Sequence, residues 1–62
     1  MTNLTETLRA AFATATIAHE NAARSAYRAA GTRMSGLAKH REEMAWARRC
    51  DAERAYRAAT VA

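Results

Sequence analysis

Small and apolar residues recur through the first half of the chain at a spacing that alternates between four and three, the period of one face of an α-helix. No proline or glycine interrupts residues 4–30, and alanine, the strongest helix former, dominates them. Asn3, with Glu6 three residues later, fits a helix start. The pattern predicts a helix over residues 4–30 whose inward face is Leu4, Leu8, Ala11, Ala15, Ala18, Ala22, Ser25 and Ala29.

A cluster of glycine, serine and threonine follows this run. Gly31 stands where a helix commonly ends in the left-handed conformation, and Ser35 or Thr32 can cap a second helix. We therefore predict a turn over residues 31–35 and a second helix over residues 36–60. At spacings of three and four, though less regularly, the predicted inward face of the second helix is Leu37, His40, Met44, Ala47, Asp51, Ala55, Ala58 and Ala62.

Two helices of similar length joined by a short turn form an antiparallel hairpin. The pentapeptide Ala-Tyr-Arg-Ala-Ala of residues 26–30 returns at residues 55–59, which suggests two similar helical units. The fold class is thus all-α, a single antiparallel two-helix hairpin with an alanine-rich seam over residues 1–62. The rival interpretation is one long helix in which both glycines are tolerated.

The supply of large apolar side chains is small, because alanine makes up much of the hydrophobic fraction. A hairpin of this size cannot bury enough apolar surface to be more than marginally stable alone. We therefore expect self-association, with two hairpins pairing into a four-helix bundle as a homodimer, or docking on a partner.

Charge and cysteine content restrict the possible partners and cellular location of the protein. The net charge of +4, from nine arginines and one lysine against six acidic residues, favours acidic partners. The lone cysteine, Cys50, excludes an internal disulfide. No apolar run reaches the ~20 residues that span a bilayer, and the N-terminus lacks the pattern of a signal peptide. We expect a cytoplasmic protein that makes no membrane contact.

Residues that carry catalysis elsewhere are present but poorly placed for it. His19 and His40 lie about two helical turns apart in a hairpin, and the adjacent Glu42 and Glu43 point about 100° apart on a helix. Cys50 has arginines nearby, but no histidine or Asn/Asp arrangement that would activate it follows from the sequence, and no glycine-rich phosphate loop exists. We predict no catalytic residues, no metal site, no cofactor and no enzymatic activity.

The outward residues of both helices have the composition of a binding surface, since Trp, Tyr and Arg dominate binding hot spots. They predict a small non-enzymatic protein that binds another protein, for example an accessory or inhibitory protein of phage or mobile-element type that acts on a nucleic-acid-handling or defence complex. An alternative for the Trp46 face is a second seam buried by self-association. The predicted partner-binding residues are Ile17, Arg24, Tyr27, Trp46, Arg49, Glu53, Tyr56 and Arg57.

A nucleic-acid interpretation competes with the protein-binding one. In it, the basic second helix of a dimeric four-helix bundle contacts RNA or DNA phosphates. Acidic residues interleave with the basic ones, and several arginines, such as Arg57 four residues after Glu53, are expected to pair with them. The predicted nucleic-acid contacts are Lys39, Arg41, Arg48, Arg49, Arg54 and Arg57.

Overall fold

The computed structural model describes residues 3–61, which form two antiparallel helices: α1 (Leu4–Ala29) and α2 (Ser35–Thr60). The all-α hairpin is therefore confirmed. Helix α1 ends one residue earlier, and α2 begins one residue earlier, than the sequence pattern predicts. Along its principal axes the molecule measures 46 × 18 × 11 Å between Cα atoms, so it is a flat rod two helices wide.

The start of α1 follows from its cap. The Asn3 side-chain oxygen accepts a hydrogen bond from the Glu6 N–H at 2.8 Å, which satisfies one of the free amides of the first helical turn. The start of α2 differs from the prediction. Met34 is the residue before the helix and provides no side-chain cap, and Ser35 is already helical. Thr32 partly compensates, because its hydroxyl oxygen accepts from the Met34 N–H at 3.2 Å.

Gly31 makes the reversal between the helices. Ala30 has φ −56° and ψ 131°, and Gly31 has φ +81°. With the Thr32 N–H bonded to the Ala29 carbonyl oxygen at 3.0 Å, these are the features of a type II turn, whose third residue needs a positive φ. Gly31 therefore adopts the left-handed conformation that its position in the sequence predicts.

The two helices meet along a seam of half-buried residues spaced alternately by three and four, the period of an antiparallel coiled coil. Every seam residue on α2 stands thirty positions after one on α1. The seam residues are Thr5, Leu8, Phe12, Ala15, His19, Ala22, Ala26 and Ala29 on α1, and Ser35, Ala38, Glu42, Ala45, Arg49, Ala52, Tyr56 and Ala59 on α2.

The register of the seam is set by two contacts. The rings of Phe12 and Tyr56 have centroids 6.2 Å apart, and Arg49 Nη1 lies 3.2 Å from His19 Nδ1. The second contact lies seven residues further along α1 and seven residues earlier on α2 than the first. Another step of seven residues on each helix brings Ala26 opposite Glu42. Alanine at every seventh position of α2, from Ala38 to Ala59, keeps the alternate layers thin.

The predicted inward faces agree with this seam only in part. On α1, half of the predicted positions belong to the seam (Leu8, Ala15, Ala22 and Ala29), and the other half are exposed. On α2 the prediction was wrong, since all its members from Leu37 to Ala58 are exposed, and Ala62 lies outside the described residues. The reason is steric: every second layer of the α2 seam holds an alanine, from Ala38 to Ala59, which lets the helices approach, whereas the prediction followed the bulk of Leu37 and Met44.

No residue between Asn3 and Val61 is fully buried. The seam shields its members only to the half-buried level, because two helices cover one another along one stripe. Neither helix, over the described residues, carries an eighteen-residue stretch apolar enough to cross a membrane.

Candidate functional site

The two sides of the helix–helix seam differ in how far their residues are buried. Four residues outside the seam are half-buried, namely Thr16, Ala23, Cys50 and Glu53, and all four lie on the same side of it. We call this side the groove flank; it comprises Arg9, Ala13, Thr16, Glu20, Ala23, Tyr27 and Ala30 on α1, and Lys39, Glu43, Trp46, Cys50, Glu53 and Arg57 on α2. The other side, the smooth flank, comprises Leu4, Thr7, Ala11, Thr14, Ala18, Asn21, Ser25 and Arg28 on α1, and Leu37, Arg41, Met44, Arg48, Asp51, Ala55 and Ala58 on α2.

Trp46 is the centre of the groove flank. Its side chain is 52% exposed, yet its ring is held by contacts from both helices. The His19 ring lies 5.1 Å away between centroids, and the Arg49 guanidinium carbon lies 5.6 Å from the indole centroid. A guanidinium stacked on an indole gains a cation–π attraction of about 0.5–1 kcal/mol at an exposed site.

Arg49 and His19 fix each other. A guanidinium has only donors, so Arg49 Nη1 donates to His19 Nδ1 across 3.2 Å and the imidazole must accept at that nitrogen. His19, Trp46 and Arg49 therefore form a cluster that joins α1 to α2 and holds the indole at a defined angle.

Two clefts between the helices lie beside this cluster. The first, of 380 Å³, is lined by His19, Lys39, Glu42, Glu43 and Trp46. The second, of 420 Å³, is lined by Ala23, Ala26, Tyr27, Ala30, Ser35, Lys39 and Glu42. Because both include Lys39 and Glu42, they form one open groove that runs from Trp46 to the turn.

A third concavity, of 500 Å³, is larger than either cleft, but it is formed by α2 and the residue that follows it, from Cys50, Glu53, Arg54, Arg57, Ala58 and Val61. A depression between side chains of a single helix has no second wall to enclose a ligand. We therefore regard the groove between the helices as the better binding feature.

A second cross-helix cluster lies at the end of the groove flank far from the turn. Arg9 Nε donates to the Tyr56 hydroxyl at 3.2 Å, and its guanidinium carbon lies 5.8 Å from the Tyr56 ring centroid. The hydrogen bond to Tyr56 raises the pKa of Arg9 above its usual value. Tyr56 also packs on Phe12, so it is half-buried. The prediction that Tyr56 turns outward was wrong, because its position falls in the seam.

The predicted partner-binding residues gather mainly on one side. Tyr27, Trp46, Glu53 and Arg57 belong to the groove flank. Arg49 and Tyr56 belong to the seam, and their side chains contact Trp46 and Arg9 of that flank. Ile17 and Arg24 instead lie on the edge of α1 that faces away from α2, where Ile17 is 58% exposed. Sequence reasoning missed Arg9 and His19, which support the aromatic residues, because the contacts depend on register.

The predicted nucleic-acid contacts are dispersed around α2. Lys39 and Arg57 lie on the groove flank, Arg41 and Arg48 lie on the smooth flank, and Arg54 points away from α1. Three of the acidic residues between them and on α1 form ion pairs. Arg57 pairs with Glu53 at 2.6 Å, as the sequence predicts, and Arg24 contacts Glu20 at 4.0 Å.

Asp51 is the third acidic residue in an ion pair. It has an arginine three residues away on either side, and its partner is Arg54 at 3.7 Å rather than Arg48. An acidic residue that precedes its basic partner along a helix is the favoured order. Arg48 is left on the smooth flank without an acidic partner among the ion pairs of residues 3–61.

The remaining reactive residues are dispersed. Within the described part of the chain, no three His, Cys, Asp or Glu side chains come close enough to hold a metal ion. His40 is exposed on the outer side of α2, and Cys50 is a free, half-buried thiol on the groove flank.

Comparison with known proteins found no family model, no curated protein and no solved structure that matches this chain.

Proposed function

We propose that this chain is a non-enzymatic binding protein that uses its groove flank to bind another protein, with Trp46 as the anchoring side chain. The observation that carries the proposal is the cluster of Trp46 with His19 and Arg49, in which a half-exposed indole is held in place beside an open groove. Tryptophan and arginine are the side chains most enriched among binding hot spots.

The fixed position of the indole supports affinity. A side chain that is immobilised on binding loses about 0.5–1.5 kcal/mol of rotamer entropy. In the free hairpin, His19 and Arg49 already restrict the rotamers of Trp46, so binding costs less of this entropy. The groove beside it offers mixed charge from Lys39, Glu42 and Glu43, which suits a partner surface with an apolar centre and a polar rim.

The nucleic-acid alternative receives less support. Arg54 and Arg57 are engaged with acidic residues, Arg49 is engaged with His19, and the other basic residues divide between the two flanks. A phosphate backbone is contacted best by a continuous row of cations. That the target belongs to a nucleic-acid-handling or defence complex stays a prediction.

The test compares Trp46→Ala with His40→Ala. Both side chains are exposed and lie on α2, but His40 is on the outer side of the helix, away from both flanks. Tagged chains of wild type and both variants are used to capture partners from a cell lysate. We expect proteins that wild type and His40→Ala retain and Trp46→Ala loses, with a loss of affinity of at least about 30-fold for a hot-spot residue.

Trp46 also provides a direct readout, because it is the single tryptophan of the chain. Titration with a captured partner should change its fluorescence, since the indole leaves water. Retention of every captured protein by folded Trp46→Ala would refute the assignment. Captured material that is nucleic acid, with affinity that falls steeply as salt rises, would favour the alternative instead.

A further inference from the structure

From the surface that the hairpin leaves uncovered, we infer that its smooth flank is the interface with a second copy of this chain, which yields a four-helix bundle with both groove flanks facing outward. This inference is independent of the proposed function, which concerns the opposite flank. It assigns the two faces of the hairpin to different partners.

The solvent-accessible area of the hairpin is larger than a compact protein of its size exposes. The chain exposes 4937 Å² of solvent-accessible surface. A compact monomer of its mass of 6.8 kDa is expected to expose about 3,950 Å². The excess of about 1,000 Å² is close to the ~800 Å² that each partner hides in an interface of standard size. A flank 46 Å long and 18 Å wide offers about that area.

Large aliphatic side chains are exposed on the α2 half of the smooth flank. Leu37 and Met44 lie two turns apart there, with exposures of 43% and 46%, and Met34, 52% exposed, directly precedes α2. Leu4, 68% exposed, lies at the other end of the same flank, whereas the exposed aromatic residues Tyr27 and Trp46 lie on the groove flank and Ile17 lies on the outer edge of α1. Exposed aliphatic side chains at successive turns of one helix face mark an interaction surface.

The two halves of the smooth flank differ in shape and charge. On α1 the flank holds no charged residue from Leu4 to Ser25 and is formed there by small residues after Leu4, and Arg28 follows at the end near the turn. On α2 it is a ridge of longer side chains that includes Leu37 and Met44. A hairpin with a shallow half and a ridged half complements a copy of itself, and such a reciprocal contact is what two-fold symmetry requires.

Two-fold symmetry leaves two ways to stack the flanks. With the dyad along the helices, each α2 lies on the α1 of the copy and all turns are at one end. Arg48 then lies near the height of Ala18 of the copy, where its aliphatic stem can cover the methyl group and its guanidinium can reach solvent, and Arg41 lies near the height of Arg28 of the copy. With the dyad across the helices, the two α2 helices lie antiparallel on each other, with Arg48 and Asp51 of both copies near the middle of the contact. Either arrangement places Ala11 in the interface and leaves both groove flanks outward.

The test uses two neighbouring alanines of α1 that are both exposed. Ala11 lies on the smooth flank, and Ala10 lies on the outer edge, away from both flanks. The same substitution to glutamate therefore has the same helix propensity cost and the same charge. Native mass is measured by sedimentation across a range of chain concentrations, with helicity recorded by circular dichroism in each sample.

We expect wild type to sediment as a dimer, with Ala11→Glu raising the dimer Kd at least tenfold and Ala10→Glu leaving it within threefold. Where dissociation lowers helicity, Ala11→Glu should regain both helicity and dimer mass at high concentration. Trp46→Ala should keep the dimer mass, and Cys50 should react with a thiol reagent at the same rate in dilute and concentrated samples, because the groove flank stays open.

Three results would overturn the inference. One is a helical monomer at all concentrations, and another is equal effects of Ala10→Glu and Ala11→Glu. The third is a doubled mass that appears only with 260 nm absorbance and disappears with nuclease, which would assign the flank to nucleic acid. Loss of partner capture by Trp46→Ala with an intact dimer would support the proposed function and leave this inference standing.

Discussion

Exchanging each glycine for alanine should move the stability of the hairpin in opposite directions. Gly31 has φ +81°, and nothing lies within 4 Å of a Cβ built on it, so the penalty of alanine there is purely conformational. Gly36 lies in the first turn of α2 and also has open space around its Cβ position. The two sites are five residues apart and differ in backbone conformation alone.

The magnitudes follow from the backbone. An L-residue in the left-handed conformation costs roughly 1–2 kcal/mol, and alanine returns about 0.4–1 kcal/mol by restricting the unfolded chain. Gly31→Ala should therefore destabilise the hairpin by about 1 kcal/mol. Gly36→Ala should stabilise it by about 0.5–1 kcal/mol, because glycine is a poor helix residue. For a domain of this size the two variants should melt about 10 °C apart.

The assay is thermal unfolding followed by circular dichroism, with all chains at one concentration because self-association would raise the melting temperature. The contrast also tests the fold itself. In one long helix, both glycines would be helical and both substitutions would stabilise. Equal stabilisation by Gly31→Ala and Gly36→Ala, with higher helix content in each, would therefore refute the hairpin.

Two further substitutions test the seam and the first cap. Tyr56→Ala should destabilise by about 2 kcal/mol, since it removes a half-buried ring and its contact with Phe12, whereas Tyr27→Ala, at a position 86% exposed, should change stability by less than about 0.5 kcal/mol. Urea unfolding measures both, and equal costs would place the seam elsewhere. Asn3→Ala should destabilise by about 1 kcal/mol through loss of the bond to the Glu6 amide, whereas Asn3→Asp should retain the stability; a neutral Asn3→Ala would show that the cap contributes nothing.

The ends of the helices could be predicted from the sequence because local interactions decide them. Asn3 caps α1 through a residue three positions away, and Gly31 reverses the chain through its own φ. The Ser35 cap failed for a local reason too: the helix begins at that residue, so its side chain lies inside the first turn. Expectations that rest on neighbours in the chain were wrong by a residue at most.

The choice of seam could not be predicted as well, because periodicity alone does not select it. On α1, a stripe through Leu8 and Ala11 and a stripe through Leu8 and Phe12 share the same alternating spacing. Only the partner helix distinguishes them. On α2 the largest apolar residues suggested one stripe, whereas close approach favoured another with alanine at every seventh position.

The repeated pentapeptide shows the same limit. Its copies are twenty-nine residues apart, but equivalent seam positions are thirty apart. Tyr56 therefore occupies the position equivalent to Ala26, and Tyr27 the position equivalent to Arg57. A similarity in sequence that is one residue out of step with the structure places identical tyrosines on different faces.

The difference between the flanks has one origin in the seam. Two large seam residues of α2 extend toward the groove flank. Arg49 contacts Trp46 there, and Tyr56 contacts Arg9. The polar ends of such residues must reach water, and they do so on one side. That side becomes aromatic, with Trp46 held between His19 and Arg49, and we propose that it binds a partner protein. The other side has no such cluster and keeps the alanine methyls with Leu37 and Met44, and we infer that a second copy covers it.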